Sequence, residues 1–286
     1  MGVEPILVKS GISPREMRRI ILTHSKLANV GHIGCCLCVV EILAAIYGNA
    51  LRASSPHDPE RDRFVLSKGH AALALYAALA VKGWIPYSEL DRFCCDGSAI
   101  AVHPEHTVPG VDFSTGSLGQ GISMAVGAAL AAQLEGSARQ VYCLISDAEC
   151  NEGSTWEAAM FAAQYRLGNL QVVMDWNRQQ AMGRCEEIID MPNMEERWRA
   201  FGWTVSEVDG HSIPQLVEAM ATHYENSLSS PHLILAHTVF GCGVSYMEKG
   251  VPVTQANLSV QPINWHYLPM SDQEFEIAMR ELETAT

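Results

Sequence analysis

The sequence VYCLISDAE, residues 141–149, is followed by LQVVMDWN, residues 170–177, and these two stretches decide the fold. Each begins as an unbroken apolar run and ends in polar residues, and residues 152–165 between them show helical periodicity. A strand–helix–strand order in which the strands are apolar on both faces is typical of a parallel sheet covered by helices.

Further apolar runs at residues 204–208 and 233–236 predict two more strands, and helical patterns precede them at 194–201 and 214–223. We therefore predict an α/β fold, with an open, doubly wound, mostly parallel sheet that carries helices on both faces. This fold places the ligand site at the carboxyl edge of the sheet.

The domain organisation follows from the same pattern. We expect one domain over residues 1–286, with a mainly helical part at 1–110, the sheet core at 111–240, and a C-terminal loop and helix at 241–286. Two capping signals support helices at the two ends of this span: Ser13 stands before Pro14 and Glu16, and Ser271 precedes Glu274.

Asp147 and Asn177 each follow one of the two deciding strands. They are separated by about thirty residues, the length of one βαβ unit, which returns the chain parallel to itself. Both therefore lie at the carboxyl edge of the sheet. A carboxylate and an amide oxygen suit Mg²⁺, which completes its coordination with phosphate oxygens and water. The same two residues could also be a helix cap and a turn former.

The motifs around these residues resemble those of the transketolase family. The stretches SDAECNEG (146–153), WEAA (156–159) and DWN (175–177) resemble its thiamine diphosphate motif. Other family-like stretches follow in the family's order: GHIG (31–34), DRFVLSKGHA (62–71), HPE (103–105), PGV (109–111), STGSLGQG (114–121) and WH (265–266). The resemblance covers roughly residues 13–285.

The resemblance implies a set of cofactor and metal contacts. The metal ion, Mg²⁺ or Ca²⁺, would be held by the side chains of Asp147 and Asn177 and by the backbone carbonyl of Gln179. Thiamine diphosphate would be bound by His70, Gly116, Ser117, Leu118, Asp147, Ala148, Glu149, Asn177 and His266.

The resemblance also implies catalytic roles. His70 and His266 would contact the diphosphate or the reacting carbon, and His32 and His103 would line the substrate channel and exchange protons with sugar hydroxyls. Glu152 would lie at a subunit interface, in a carboxylate relay between cofactors. A single histidine is more often a surface or core residue, but four fall on family positions here.

Several positions depart from the family pattern. Ala148 replaces the usual glycine, where a methyl group would crowd a ligand or require negative φ. Ile33 replaces a proline, and Cys35 and Cys36 replace a small pair. Phe240 and Cys242 stand where relatives often carry basic residues.

The resemblance implies an incomplete enzyme. The chain would be the N-terminal subunit of a split transketolase, transferring a two-carbon ketol unit from a ketose or ketose phosphate donor. It would act with a separate C-terminal, pyrimidine-binding subunit in an α2β2 heterotetramer. Two alternatives remain: transfer of the unit to a carrier-protein thiol or another specialised acceptor, and a noncatalytic scaffold for a homologue.

Composition limits the other function classes. The formal net charge is −13, from 19 basic and 32 acidic residues, which argues against nonspecific nucleic-acid binding. We find no membrane-spanning run and no secretion signal, so we expect a cytoplasmic protein. The nine cysteines read as reduced core thiols. A zinc site built from Cys35, Cys36, Cys38 and His32 is the weaker interpretation, because no second Cys/His pair has zinc-finger spacing.

Overall fold

Five parallel strands form the central sheet of the computed structural model, which describes residues 11–226, 229–248 and 264–284. The spatial order is β1-β2-β3-β7-β6. The strands are β1 (Arg63–Leu66), β2 (Val141–Ser146), β3 (Leu170–Trp176), β6 (Thr204–Asp209) and β7 (His232–His237), with a separate hairpin of β4 (Gln179–Gln180) and β5 (Gly183–Arg184). The predicted parallel α/β fold is confirmed.

Helices cover both faces of this sheet. They are α1 (Pro14–Ala28), α2 (Ile33–Leu37), α3 (Val40–Ala45), α4 (Ala72–Val81), α5 (Tyr87–Leu90), α6 (Gly121–Leu134), α7 (Gly153–Gln164), α8 (Cys185–Ile188), α9 (Met194–Ala200), α10 (Ile213–Asn226), α11 (Ser245–Glu248) and α12 (Asp272–Thr284). Alternate strand residues point into two separate cores, as the period of a strand requires. Leu144 belongs to the core that includes residues of α1, α3 and α4, whereas Cys143 and Ile145 belong to the core that includes residues of α6 and α7.

The sequence predicted strands β2, β3, β6 and β7 and the α7, α9, α10 and α12 helices, each to within a few residues. The Ser13 cap is present, because its hydroxyl accepts the Glu16 backbone N–H at 3.3 Å, and Ser271 accepts from Glu274 N–H at the same distance. Strand β1 was not predicted. It lies in the part of the chain that the sequence marked as mainly helical, and it forms the edge of the sheet.

Side chains satisfy the outer side of edge strand β1. Asp112 accepts the Phe64 backbone N–H at 3.0 Å and pairs with Arg61 at 2.7 Å. Asp62 accepts the Gln140 backbone N–H at 2.8 Å and pairs with Arg52. These contacts fix the strand that leads into the 67–71 turn of the candidate site.

The stretch Ile33–Ala50 is, among the described residues, the one helical run long and apolar enough to cross a bilayer. It is 83% buried inside the fold. Packing in the protein core therefore accounts for its apolar composition.

Candidate active site

Strands β2 and β3 bring Asp147 and Asn177 to the same edge of the sheet. Ser146 lies opposite Asp175 in the parallel register, so the residues that follow emerge side by side. The Asp147 Oδ2 atom accepts the Arg178 backbone N–H at 2.6 Å, which joins the two turns directly. This is the placement that the βαβ spacing predicted.

The Asp147 carboxylate is buried, and the positive charge near it does not compensate its own negative charge. Burial, and next the neighbouring Asp175, raise its pKa to about 7, although Lys68 acts in the opposite direction. Desolvation penalises an ionised carboxylate, and an adjacent cation removes that penalty. A divalent ion at this carboxylate therefore fits the electrostatics of the site.

Asn177 and Gln179 form the second half of the same turn. Asn177 Oδ1 accepts the Gln179 backbone N–H at 2.8 Å, and its Nδ2 donates to Asp175 Oδ2 at 2.9 Å. Gln179 opens the short strand β4 and is half-buried, and its Oε1 has no hydrogen-bond partner among the described residues. The oxygen donors of this turn suit a hard cation.

A buried ion pair of Lys68 and Asp175 lies at the centre of the site. Both side chains are almost fully excluded from solvent, at 1% and 0% exposure. Asp175 also accepts from Thr238 Oγ1, from Cys38 Sγ at 3.1 Å and from Asn177. Sequence reasoning gave neither member of the pair a role. The available signal was a charged residue at the end of an apolar strand, two positions before Asn177 and therefore on its face.

Four histidines form a second group close to Lys68. The His32 ring centroid lies 5.5 Å from that of His70 and 5.4 Å from that of His266. His103 lies at the outer side, 6.5 Å from His32. The structure thus brings together all four histidines that the sequence selected.

Burial keeps three of these rings neutral. The pKa of His32 is lowered to about 4 by burial and by His103 and Lys68, and that of His266 to about 4 by burial, His32 and Lys68. Burial, with Lys68 next, lowers the pKa of His70 well below its usual value. The buried Nδ1 atoms of His32 and His266 have no partner among the described residues. Neutral rings with open nitrogens fit a site for an anionic, hydrogen-bonding cofactor.

The segment around His266 docks on the turn before α2. His32 N–H donates to the His266 carbonyl at 2.8 Å, and Gly34 N–H donates to the Trp265 carbonyl at 3.3 Å. A Cβ atom at Gly31 would lie 2.4 Å from the Tyr267 carbonyl oxygen. Glycine at position 31 is therefore required by close backbone approach.

Glu149 joins three segments of the site. Its Oε2 accepts the Ser146 N–H at 2.9 Å, and its Oε1 accepts the Gly119 N–H at 2.8 Å and the Ser67 hydroxyl. The carboxylate is buried, and burial raises its pKa. Both carboxylate oxygens accept hydrogen bonds from the protein, and through the bond from Gly119 N–H the Glu149 side chain positions the 114–121 loop.

That loop carries the remaining cofactor candidates. Gly116 lies beside the His103 ring, where an added Cβ would meet the ring at 3.5 Å. Leu118 is half-buried and Ser117 is exposed. Glu152 is also exposed, and its Cβ lies 2.7 Å from the position of a Cβ at Gly119, which has a φ of +77°. Ser117 and Glu152 are therefore open to solvent at the rim of the site.

Two departures from the family pattern have structural explanations. Ala148 lies in the single helical turn Asp147–Asn151 with negative φ, so its methyl group causes no backbone strain. Phe240 is 2% exposed and stacks parallel to His266 at 6.3 Å. Its ring occupies the space above Gly34, where an added Cβ would lie 2.2 Å away.

Cys242 lies in a polar cluster with α1 and α3. Arg18 donates to the Cys242 carbonyl at 3.0 Å and pairs with Glu41 at 2.6 Å. His211 Nδ1 lies 3.0 Å from Glu41, and its Nε2 accepts the Val239 N–H at 2.9 Å. The guanidinium of Arg18 thus places a positive charge directly beside Cys242.

Comparison with known proteins places this geometry in a family context. Residues 15–280 match the family described as "Transketolase, thiamine diphosphate binding domain". The chain is 37% identical to one of the subunits of the apulose-4-phosphate transketolase of Phocaeicola vulgatus, over 99% of this chain and 95% of that protein. It is 38% identical to the 6-deoxy-6-sulfo-D-fructose transketolase subunit SqwG of a Clostridium species, over 93% and 94% of the two chains.

Solved transketolase structures share the fold of this chain. The transketolase of Campylobacter jejuni superposes with a TM-score of 0.84 at 26% identity. The match covers 99% of this chain but 43% of that one. The chain therefore corresponds to less than half of this longer transketolase.

Proposed function

The chain belongs to the thiamine diphosphate-binding transketolase family, and we propose that Asp147, Asn177 and Gln179 bind its metal ion. It is the N-terminal subunit of a transketolase-like transferase, and its cofactor is thiamine diphosphate. The observation that carries the metal proposal is the buried, uncompensated Asp147 carboxylate, joined to the 177–179 turn. Mg²⁺ or Ca²⁺ would be held by the two side chains and the Gln179 carbonyl, with the diphosphate oxygens as further ligands.

The four histidines would contact thiamine diphosphate and the sugar substrate, as opposed to the metal ion. Bound thiamine diphosphate supplies the stabilised carbanion that ketol transfer needs. The neutral rings of half-buried His70 and buried His266 can accept hydrogen bonds or protons at their ring nitrogens. His32 and His103 would exchange protons with substrate hydroxyls. Gly116, Ser117, Leu118 and Ala148 would lie along the cofactor, with Glu149 fixing the 114–121 loop.

The names of two close relatives include the word "subunit", which implies a partner chain. We propose that the partner is a separate C-terminal subunit that binds the aminopyrimidine ring, in an α2β2 heterotetramer. Glu152, exposed at the rim of the site, would lie at a subunit interface. We also propose a cytoplasmic location for the assembly.

The substrate is a ketose donor of the kind that transketolases cleave. The two relatives are named for apulose-4-phosphate and 6-deoxy-6-sulfo-D-fructose. Neither name points to a carrier-protein thiol as acceptor. Sugar transfer is therefore the function that we propose for this chain.

Calorimetry tests the metal assignment. Thiamine diphosphate should bind the purified chain in the presence of Mg²⁺, and Asp147→Ala should abolish this binding. Asp96→Ala, at an exposed aspartate, is the matched control and should bind like the wild type. Equal binding by Asp147→Ala and wild type would show that the metal lies elsewhere.

Reconstitution tests the partner assignment. The chain should turn over ketose donors only after a pyrimidine-binding subunit is added. Mass measurement by light scattering should then give two copies of each chain. Full turnover by the isolated chain would contradict the split-enzyme proposal.

A further inference from the structure

Three soft metal-ligating side chains meet inside the histidine group. Cys35 is on α2, His70 is on the turn Gly69–Ala71 before α4, and His266 follows Trp265. The Cys35 sulfur and one nitrogen of each histidine all lie within 4.8 Å of one another. Ligand atoms around tetrahedral zinc are about 3.3–3.6 Å apart, so side-chain shifts of about 1 Å would close the site.

We propose that Cys35, His70 and His266 form a binding site for a soft divalent metal ion of the Zn²⁺ type. Cys35 is 3% exposed and His266 is 7% exposed, so these two ligands are shielded from water, and His70 is half-buried. The Nδ1 atom of His266 is buried and has no hydrogen-bond partner among the described residues. An unpartnered buried nitrogen is costly, and metal coordination would satisfy it.

The chemistry of the three ligands suits zinc rather than magnesium. A thiolate and two neutral imidazoles are the soft and borderline donors that Zn²⁺ prefers, whereas Mg²⁺ prefers oxygen. As the sulfur–metal bond forms, the Cys35 S–H bond breaks and its proton leaves to solvent. Burial raises the pKa of the Cys35 thiol to about 12, although Lys68 acts in the opposite direction, so in the metal-free protein the thiol is protonated and the bound ion displaces its proton.

The fourth coordination position has a candidate within the same group. The His32 ring lies 5.4 Å from the His266 ring and 5.5 Å from the His70 ring, measured between centroids. Its buried Nδ1 has no partner among the residues described. His32 or a water molecule would complete the tetrahedron.

The proposed zinc-type site and the proposed cofactor site share residues. If His70 and His266 contact the diphosphate, as the proposed function holds, the soft metal and the cofactor exclude each other. The soft-metal site would then regulate loading of the enzyme. The metal-binding test is made without cofactor, so its result does not depend on that function.

Cobalt(II) is the probe, because it occupies zinc sites and its bond to a thiolate produces a charge-transfer absorption. Metal-free protein titrated with Co²⁺ should show this band and saturate at one ion per chain. Cys35→Ser should lose the band and bind Zn²⁺ at least about tenfold more weakly. Cys36→Ser is the matched control, since it alters the adjacent buried thiol, and it should keep the band.

Circular dichroism would reveal misfolding of Cys35→Ser, and in that case a second variant provides an independent test. His266→Gln keeps the thiol and should also weaken Zn²⁺ binding at least about tenfold. Wild-type Zn²⁺ affinity in His266→Gln would overturn the proposal. A cobalt–thiolate band that persists in Cys35→Ser, or that disappears equally in Cys36→Ser, would overturn it as well.

Discussion

At the scale of single residues, Asp147 carries a charge that the fold alone does not compensate. Its pKa is raised to about 7 because the carboxylate is buried, and next because Asp175 is close. A group whose folded-state pKa is raised contributes stability at low pH and loses it as pH rises through the folded pKa. The metal-free protein is therefore penalised above pH 7.

Replacing Asp147 with Asn should stabilise the metal-free protein at pH 8. Removal of the buried charge outweighs the loss of one hydrogen bond, so the free energy of unfolding should rise by about 1–2 kcal/mol. The gain should shrink as pH falls from 7 towards 4, because the wild-type carboxyl is then protonated. Urea unfolding with and without Mg²⁺ measures this effect, and Asp96→Asn is the exposed control.

A stabilised metal-free variant that no longer binds thiamine diphosphate would separate the two roles of the residue. The opposite result, a large loss of stability at pH 8, would show that the two backbone hydrogen bonds of Asp147 matter more than its charge. Those bonds come from Ala148 N–H at 2.7 Å and Arg178 N–H at 2.6 Å.

Gly31 shows how a motif glycine can act through backbone packing. Gly31→Ala would place a methyl group 2.4 Å from the Tyr267 carbonyl oxygen and push the 265–267 segment away from α2. We expect a loss of about 1–3 kcal/mol in unfolding free energy, as for other overpacked sites. Because His266 moves with that segment, affinity for thiamine diphosphate should fall as well.

Gly127→Ala is the control for this substitution. Gly127 lies inside α6, and nothing stands within 4 Å of an added Cβ. Alanine favours helix over glycine by roughly 0.5–1 kcal/mol, so this variant should gain stability. Equal behaviour of the two variants would rule out the proposed close approach.

Sequence reasoning located the residues that sit in motifs and missed those that act through long-range contacts. Asp147 and Asn177 follow from strand ends and one βαβ spacing, which are local properties. Lys68 and Asp175 become a pair only when β1 and β3 are placed in the same sheet, with β2 between them. No local pattern states that the Lys68 ammonium will lie buried against Asp175.

At the scale of elements, Glu149 connects the end of β2, the end of β1 and the loop before α6. Glu149→Gln keeps the shape but replaces one acceptor oxygen with an NH₂ group. That group would face a backbone N–H or a hydroxyl and leave a buried donor unsatisfied, at a cost of about 1–3 kcal/mol. Thermal and urea unfolding should show this loss.

Thiamine diphosphate affinity should fall together with stability in Glu149→Gln, because Gly116 and Leu118 are on the loop that Glu149 holds. Glu157→Gln, an exposed position on α7, should change neither quantity. Normal stability in Glu149→Gln would mean that the loop is fixed by other contacts, such as Ser154 Oγ to the Gly119 carbonyl at 2.9 Å.

The element that the sequence did not predict, β1, is short and depends on distant partners. Its four residues pair only with β2, from a segment far along the chain, and its outer side is satisfied by Asp112. An edge strand with such contacts has little local signal. By contrast, β2 and β3 are longer and fully buried apolar runs, which the sequence displays directly.

At the scale of the whole molecule, buried neutral histidines link stability to pH. The pKa of His70 is lowered by burial and by Lys68, His266, His32 and His103. Above about pH 6.5 both folded and unfolded states hold it neutral, and below that value only the unfolded state takes up a proton. Its contribution to stability is therefore lost as pH falls.

Replacing His70 with Gln should reduce the difference in unfolding free energy between pH 7.5 and pH 5 by about 2 kcal/mol. Urea titrations of the metal-free protein at the two pH values measure it. His57→Gln, at an exposed histidine, should leave that difference as in the wild type. An unchanged difference in His70→Gln would show that the ring is protonated in the folded state.

The contact between the His266 and His32 segments also determines when, during synthesis, the chain can first bind thiamine diphosphate with its full histidine group. During translation the residues of β1, β2 and β3 leave the ribosome well before residues 264–267, which carry the last ring of the histidine group. A stalled nascent chain that ends at β7 should already protect its sheet from protease yet fail to retain thiamine diphosphate. A chain that ends at β7 lacks the His266 ring, so its weaker retention of thiamine diphosphate would measure what the docked 264–267 segment adds to the site.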